Sequence, residues 1–258
     1  MKSSMLDVDD DEIMIGDIHG AFNQADPYAS NVGRYAVWQQ YKGAPLRVFY
    51  MAKPLYGTDD AAMAFHVTFV KWIISPAVGY VQSENDKAVY THPATKHRVE
   101  KHVDDLKCRG RVADNAKFRQ MCTGRFPIKG WHILTITNPV RYNGVDYLKK
   151  IEGGQAYYGL TQKNDIRDFL DEHGYKIVRP VSSPMGNIKD LIADTRGVTP
   201  TEHAWIRSTL GMLSYFADKT VFDMAAEVNM ISQYAANPNQ STLKAIKRVM
   251  AWLAQDGV

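Results

Sequence analysis

The first apolar run is Ile13-Met14-Ile15, and residues 13–22 read as a short strand running into a turn that carries Gly16 and Gly20. Residues 1–11 before it are acidic and read as a frayed start. A second strand is expected at 47–51, around Val48-Phe49-Tyr50. After Leu55-Tyr56-Gly57, Asp59-Asp60 can cap a helix to about Ile74, with Ala64, Val67, Phe69, Val70 and Ile73 as its apolar side. A short strand follows at 88–91, and 96–109 predicts a hairpin with Asp104-Asp105 at its tip.

The second half turns helical. Residues 164–173 fit a helix stopped by Gly174. Residues 179–200, rich in Pro, Ser, Gly and Asp, read as a linker, and helices are expected at about 202–217, 222–236 and 241–254. The last has Ser241 as a candidate N-cap and Leu243, Ile246, Val249, Met250 and Leu253 on one face. Lys244, Lys247 and Arg248 fall largely on the other face, which is either simply solvated or in contact with phosphates.

Composition narrows the classes. The 258 residues are 45% hydrophobic and 23% charged, the balance of a globular protein with a proper core. No apolar run reaches the roughly 18 residues of a membrane span, so no membrane partner is expected. The acidic N-terminus has no apolar core and is not a signal peptide. Cys108 and Cys122 are too few for a disulfide framework and fit no zinc spacing. The expected location is therefore intracellular, in cytoplasm or nucleus. A net charge of +3 allows a nucleic-acid partner without pointing to one.

Two segments could carry metal-assisted phosphoryl chemistry. Mg²⁺ takes oxygen ligands, and a nucleotidyl-transfer site holds two ions roughly 4 Å apart on a few carboxylates and the substrate phosphates. Such carboxylates sit at strand ends or tight turns. Asp17, at the end of the first strand, and Asp104-Asp105, at the hairpin tip, fit that placement. Adjacent aspartates also occur in ordinary exposed turns, and Asp9-Asp10-Asp11 and Asp59-Asp60 are further examples in this chain. His92, His97 and His102 do not share a helical face and read as surface residues.

The order of short motifs resembles the copia-type (long-terminal-repeat retrotransposon) reverse transcriptases. Gly16-Asp17-Ile18-His19-Gly20-Ala21-Phe22 is similar to that family's Asp-Val-x-x-Ala-Phe, and Lys53-Pro54-Leu55-Tyr56-Gly57 to its Lys-x-Leu-Tyr-Gly. Gly79-Tyr80 with Ser83-Glu84-Asn85-Asp86 is similar to Gly-Phe…Ser-x-x-Asp, and His102-Val103-Asp104-Asp105 to Tyr-Val-Asp-Asp. Val181-Ser182-Ser183-Pro184-Met185 resembles Val-Ser-Thr-Pro-Met. Arg207 to Leu213, and Asn237-Pro238 with Ala245 to Val249, resemble the C-terminal helices. The resemblance runs from about residue 13 to 253.

It implies an RNA-directed DNA polymerase of α+β fold. Residues 1–186 would form the palm, an antiparallel sheet packed on helices, with partial fingers; 187–258 would form a helical thumb or connection. Asp17, Asp104 and Asp105 would bind Mg²⁺ or Mn²⁺. Ile18, His19 and Gly20 would offer backbone N–H groups to the triphosphate. Phe22 would lie under the incoming sugar as a steric gate, although a core aromatic is the plainer reading of that residue. Tyr56 and Gly57 would line the nucleotide pocket. The partners would be an RNA or DNA template-primer, deoxynucleoside triphosphates and other segments of a retrotransposon polyprotein.

Four departures from the family stand out. The chain begins just before Asp17, without the upstream fingers segment, and Arg34, Lys42 and Arg47 follow the first motif instead. The stretch before Asp104 is polar, with Lys96, His97, Arg98, Glu100, Lys101 and His102, where the family has a buried apolar strand. Such charges cost several kcal/mol in total unless paired or exposed. Thr58-Asp59-Asp60-Ala61-Ala62 replaces Lys-Gln-Ala-Pro, and Val258 falls where the family continues into ribonuclease H. These departures leave a second expectation, a catalytically inactive or nucleic-acid-binding descendant.

Overall fold

The structure is a computed structural model that describes residues 11–28, 35–38, 41–174, 181–184, 186, 189, 191 and 194–255. The acidic start at 1–10, Arg34, and several residues of the 179–200 segment, Met185 among them, lie outside the described residues. The strands are β1 (Asp11–Ile18), β2 (Tyr35–Trp38), β3 (Arg47–Tyr50), β4 (Val81–Gln82), β5 (Val89–Thr91), β6 (Arg98–His102), β7 (Asp105–Arg111), β8 (Ile128–Ile133), β9 (Val140–Tyr142), β10 (Val145–Glu152) and β11 (Gln155–Thr161). The described α-helices are α1 (Ala61–Ile73), α2 (Val112–Arg125), α3 (Lys163–Glu172), α4 (Pro200–Lys219), α5 (Ala225–Ser232) and α6 (Gln240–Leu253). This is the mixed α and β content expected from the sequence. The chain divides into two units, Met1–Asn143 with Tyr147–Tyr158, and Gly144–Asp146 with Gly159–Val258.

The first unit is built on a six-stranded sheet in the order β4-β5-β6-β7-β1-β8, antiparallel at every junction. Strand alternation sorts the side chains. Met14, Ile18, Val99, Leu106 and Cys108 lie in one apolar core with Phe65, Phe69 and Ile73 of α1 and Phe118 and Cys122 of α2. Aromatic rings knit this layer together: Phe65 and Phe126 lie 6.0 Å apart edge to face, and Phe69 and Phe126 5.8 Å apart and stacked. Each fully buried Phe contributes about 1.5–3 kcal/mol of burial. Ile15 joins a separate cluster with Leu134, Val140 and Tyr142.

Strand β6 shows how a polar strand is accommodated. Glu100 is bonded by Arg98 at 3.2 Å and by Lys107 of β7 at 2.6 Å, directly across in register. Lys101 faces the core and is buried; its Nζ lies 5.1 Å and 5.6 Å from the ring centres of Phe65 and Phe69 and donates to the Val103 carbonyl at 3.0 Å. His97, expected at the surface, is 1% exposed. Its Nδ1 lies 2.6 Å from the Tyr80 hydroxyl and its Nε2 2.8 Å from Asn115 Oδ1, while Asn115 donates to the Glu12 carbonyl and carboxylate. The period of two that buries Val99 also buries residues 97 and 101, and the charge pattern hid that.

Three other expectations change. The first strand begins earlier, at Asp11, which pairs with Arg111 in register and meets the Arg109 guanidinium at 3.7 Å. Helix α2 and strand β8 occupy a stretch with no predicted element. The supposedly helical half opens with a three-stranded sheet, β11-β10-β9. Its first turn is Asn143-Gly144, with φ of 48° and 75°, the two left-handed residues of a type I′ hairpin.

In the second unit, α3 to α6 share a core that includes Ile166, Phe169, Ile206, Leu210, Phe216, Ile246 and Val249. Two capping boxes fix helix starts, Thr199 with Glu202 on α4 and Asn239 with Thr242 on α6. The cap of the last helix is thus Asn239 rather than Ser241, whose hydroxyl instead donates to Asp194 at 2.7 Å.

Candidate active site

Two features of the sheet bring the predicted carboxylates together. The register of β1 on β7 sets Asp17 directly opposite Asp105. The β6–β7 hairpin closes with His102 paired to Asp105, leaving Val103-Asp104 as a two-residue loop. Its tip is tied to β1 by the Ile18 N–H, which donates to the Asp104 carbonyl at 2.9 Å. Val103 has φ 54° while Asp104 does not share that sign, the pattern of a type II′ turn. A β-branched residue in that region stores about 1–3 kcal/mol of strain, and the buried Lys101 ammonium holds the strained residue's carbonyl.

A bulge supplies the next group. Gly16 pairs with Trp131 and Ile18 with Ile128, so Asp17 faces two residues of β8, Lys129 and Gly130. The bulge puts Lys129 Nζ 2.7 Å from Asp17 Oδ2. Gly16 is needed here, because a Cβ would stand 2.6 Å from the Trp131 ring. Asp17 Oδ1 is a buried acceptor without a hydrogen-bond partner among the described residues. Sequence reasoning missed Lys129, since only the bulge distinguishes it from any surface lysine.

The electrostatics follow from this crowding. Burial, then the neighbouring Asp104 and Asp17 charges, raise the Asp105 carboxyl above its ordinary range, opposed by His102 and Lys129. Lys129 is held above its ordinary value, first by its hydrogen bond to Asp17 and then by its charge. Burial pushes the Lys101 ammonium down to about 8, opposed by Asp104.

Oxygen-rich carboxylates are the donor type that a hard divalent cation takes, and the buried Asp17 Oδ1 has no hydrogen-bond partner among the described residues. The three aspartates fit such an ion by donor type and register. They do not form a finished cage: among the described residues no three His, Cys, Asp or Glu side chains are gathered closely enough to hold a metal ion.

The other predicted site residues fall as follows. Phe22 follows β1 in a short 3-10 turn, partly buried against the core, and its ring centre lies 4.6 Å from that of the exposed Tyr56 at 45°. Gly57, at φ 91°, follows in an open turn. The Ile18 and His19 N–H groups already donate to the carbonyls of Asp104 and Pro127, which leaves Gly20, at φ 60°, as the remaining candidate of the three for an anion. On α6, Lys244 and Lys247 are exposed and Arg248 is half-buried. No described helix is long and apolar enough to cross a membrane.

Comparison with known proteins places the chain beside retrovirus-related Pol polyproteins of transposons. It is 27% identical over 226 residues to the Retrovirus-related Pol polyprotein from transposon RE1 of Arabidopsis thaliana, covering 83% of this chain. To the corresponding polyprotein from transposon RE2 of the same plant it is 26% identical over 220 residues, again 83% of this chain. The chain spans 14% of the length of each of these relatives. No family model matches it, and no solved structure matches it. The chain is thus related to retrotransposon Pol polyproteins.

Proposed function

We propose that the chain is the polymerase core of a copia-type retrotransposon polyprotein, an RNA-directed DNA polymerase that extends a primer 3′-hydroxyl with deoxynucleoside triphosphates. The observation that carries this reading is the register that sets Asp17 across from Asp105, with Asp104 beside them at the tip of a strained hairpin. The relation to Pol polyproteins and the antiparallel sheet with helices against it support the same reading. On it, the first unit is the palm and the helical unit the thumb or connection.

Asp17, Asp104 and Asp105 would hold the metal. Bound Mg²⁺ or Mn²⁺ supplies activation of the attacking hydroxyl and neutralisation of the triphosphate. The protein's own part is positioning. The strained Val103 turn fixes two carboxylates against the third. Phe22, its ring tilted 45° to that of Tyr56, would offer apolar contact to the nucleotide sugar and base. The Gly20 N–H, at the left-handed residue that starts the 3-10 turn after β1, would be the group to meet phosphate oxygens. Lys244, Lys247 and Arg248 would meet the nucleic-acid backbone.

A second reading, a nucleic-acid-binding descendant without catalysis, is favoured by one observation, the ammonium of Lys129 seated on Asp17 in place of a metal cage. Primer extension on an RNA template with Mg²⁺ or Mn²⁺ separates the two. The polymerase reading predicts extension by the wild type and none by Asp104→Asn/Asp105→Asn. A folded wild type that binds template-primer, with steep salt dependence, but adds no nucleotide supports the second reading.

A further inference from the structure

Among the described residues, the ion pair at the carboxylate centre is made by a lysine outside the motifs named above. Lys129 Nζ sits 2.7 Å from Asp17 Oδ2, put there by the β8 bulge. The same carboxylate's other oxygen is buried and has no hydrogen-bond partner among the described residues. The Lys129 charge is also felt at Asp105, and the Asp104 charge at Lys129. It is loosely held: its side chain is 57% exposed. An exposed ion pair of this kind is weak and easily opened. Lys101, the other cation near the turn, has the opposite character, buried under two phenylalanine rings with its ammonium bonded to a backbone carbonyl.

We propose that Lys129 holds the place of a divalent cation at Asp17 and swings out when the cation binds, so that this lysine sets the metal affinity of the site. The inference rests on the polymerase reading. It explains why the three carboxylates stand in register and are still not gathered as a cage. With the ammonium on Asp17, one oxygen is already neutralised and nothing draws Asp104 and Asp105 inward. Departure of Lys129 frees Oδ2 beside the unpartnered Oδ1, and the repulsion among three carboxylates then favours a doubly charged ion over a single ammonium.

The test is Mn²⁺ binding without nucleotide, read from the loss of the free-ion electron paramagnetic resonance signal at fixed pH and ionic strength. Wild type, Lys129→Met, Lys129→Gln and Asp17→Asn are compared, with circular dichroism confirming that each is folded. Removing one positive charge within a few ångströms of a divalent site should tighten binding by roughly tenfold in a solvent-exposed setting. Both Lys129 variants should show this gain, and Asp17→Asn should lose the site. If Asp17-dependent Mn²⁺ binding is present in wild type and unchanged or weaker in both lysine variants, Lys129 is not a competitor and the proposal falls, while the polymerase reading stands. If no variant shows Asp17-dependent binding, the metal site itself is refuted, and the proposal with it.

Discussion

Replacing Lys101 with Met tests the electrostatic account of the polar strand. Lys101 is buried on the helix-facing side of β6, against the Phe65 and Phe69 rings. Burial lowers its ammonium from 10.5 to about 8. A tenfold change in proton affinity is worth about 1.4 kcal/mol, so keeping the charge buried at neutral pH costs the fold about 3 kcal/mol. The sign follows from proton binding. Between about pH 8 and 10.5 the unfolded chain holds a proton on this lysine that the folded chain has released, so this residue's contribution to stability rises with pH across that window. The buried thiols act in the opposite direction. Cys122 is raised to about 12 and Cys108 well above its ordinary value, both chiefly by burial. The stability they lend is present below the ordinary thiol range and is lost progressively as pH rises from there toward their raised values. The wild-type curve mixes these effects, and the difference between Lys101→Met and wild type isolates the lysine. Met fills much the same volume without a charge. The expected result is that the variant's stability advantage shrinks by about 3 kcal/mol from about pH 7.5 to about pH 10.5, read from urea denaturation midpoints. At the lower pH the variant should be at least as stable as wild type. The lysine's attraction to the Phe65 and Phe69 rings and to the Val103 carbonyl is smaller than the desolvation cost that the substitution removes. A difference that does not change with pH would refute the reasoning.

Two further predictions concern the frame of the site. Gly16→Ala puts a methyl 2.6 Å from the Trp131 ring and must push β8 outward, costing about 1–3 kcal/mol in chemical denaturation and weakening the Lys129–Asp17 contact. His97 is held neutral, its imidazole lowered chiefly by burial and partly restored by Asn115. The unfolded chain therefore takes up a proton below about pH 6.5 that the folded chain resists, so stability falls as pH drops from about 7 to about 5. His97→Gln should show a smaller fall over the same range by thermal melting.

The sequence showed most of what carries chemistry and less of what frames it. The β1 strand was legible because its apolar run meets turn residues just beyond Asp17, and the hairpin because Asp104-Asp105 mark a turn between two segments of strand length. The helical unit was legible from its apolar stripes. Helix α2 was not, because it fully buries only Asn115, Phe118 and Cys122, too few apolar positions for a clear stripe. Strand β8, Ile128–Ile133, is short, contains Gly130 and alternates weakly. Lys129, at its bulge, was therefore unreadable as part of the site. His97 was misread because residue type suggested a surface, and only its shared parity with Val99 says otherwise; the same parity buries Lys101.

The central claim is that Asp17, Asp104 and Asp105 act as one centre. The most direct test is Mg²⁺-dependent addition of a single deoxynucleotide to a primer by wild type, Asp17→Asn, Asp105→Asn and the double variant. Groups that act as a unit are non-additive. The account predicts incorporation by wild type, and a loss in the double variant about as large as in either single one. Incorporation by wild type that survives Asp17→Asn, or losses that simply multiply in the double variant, would contradict it.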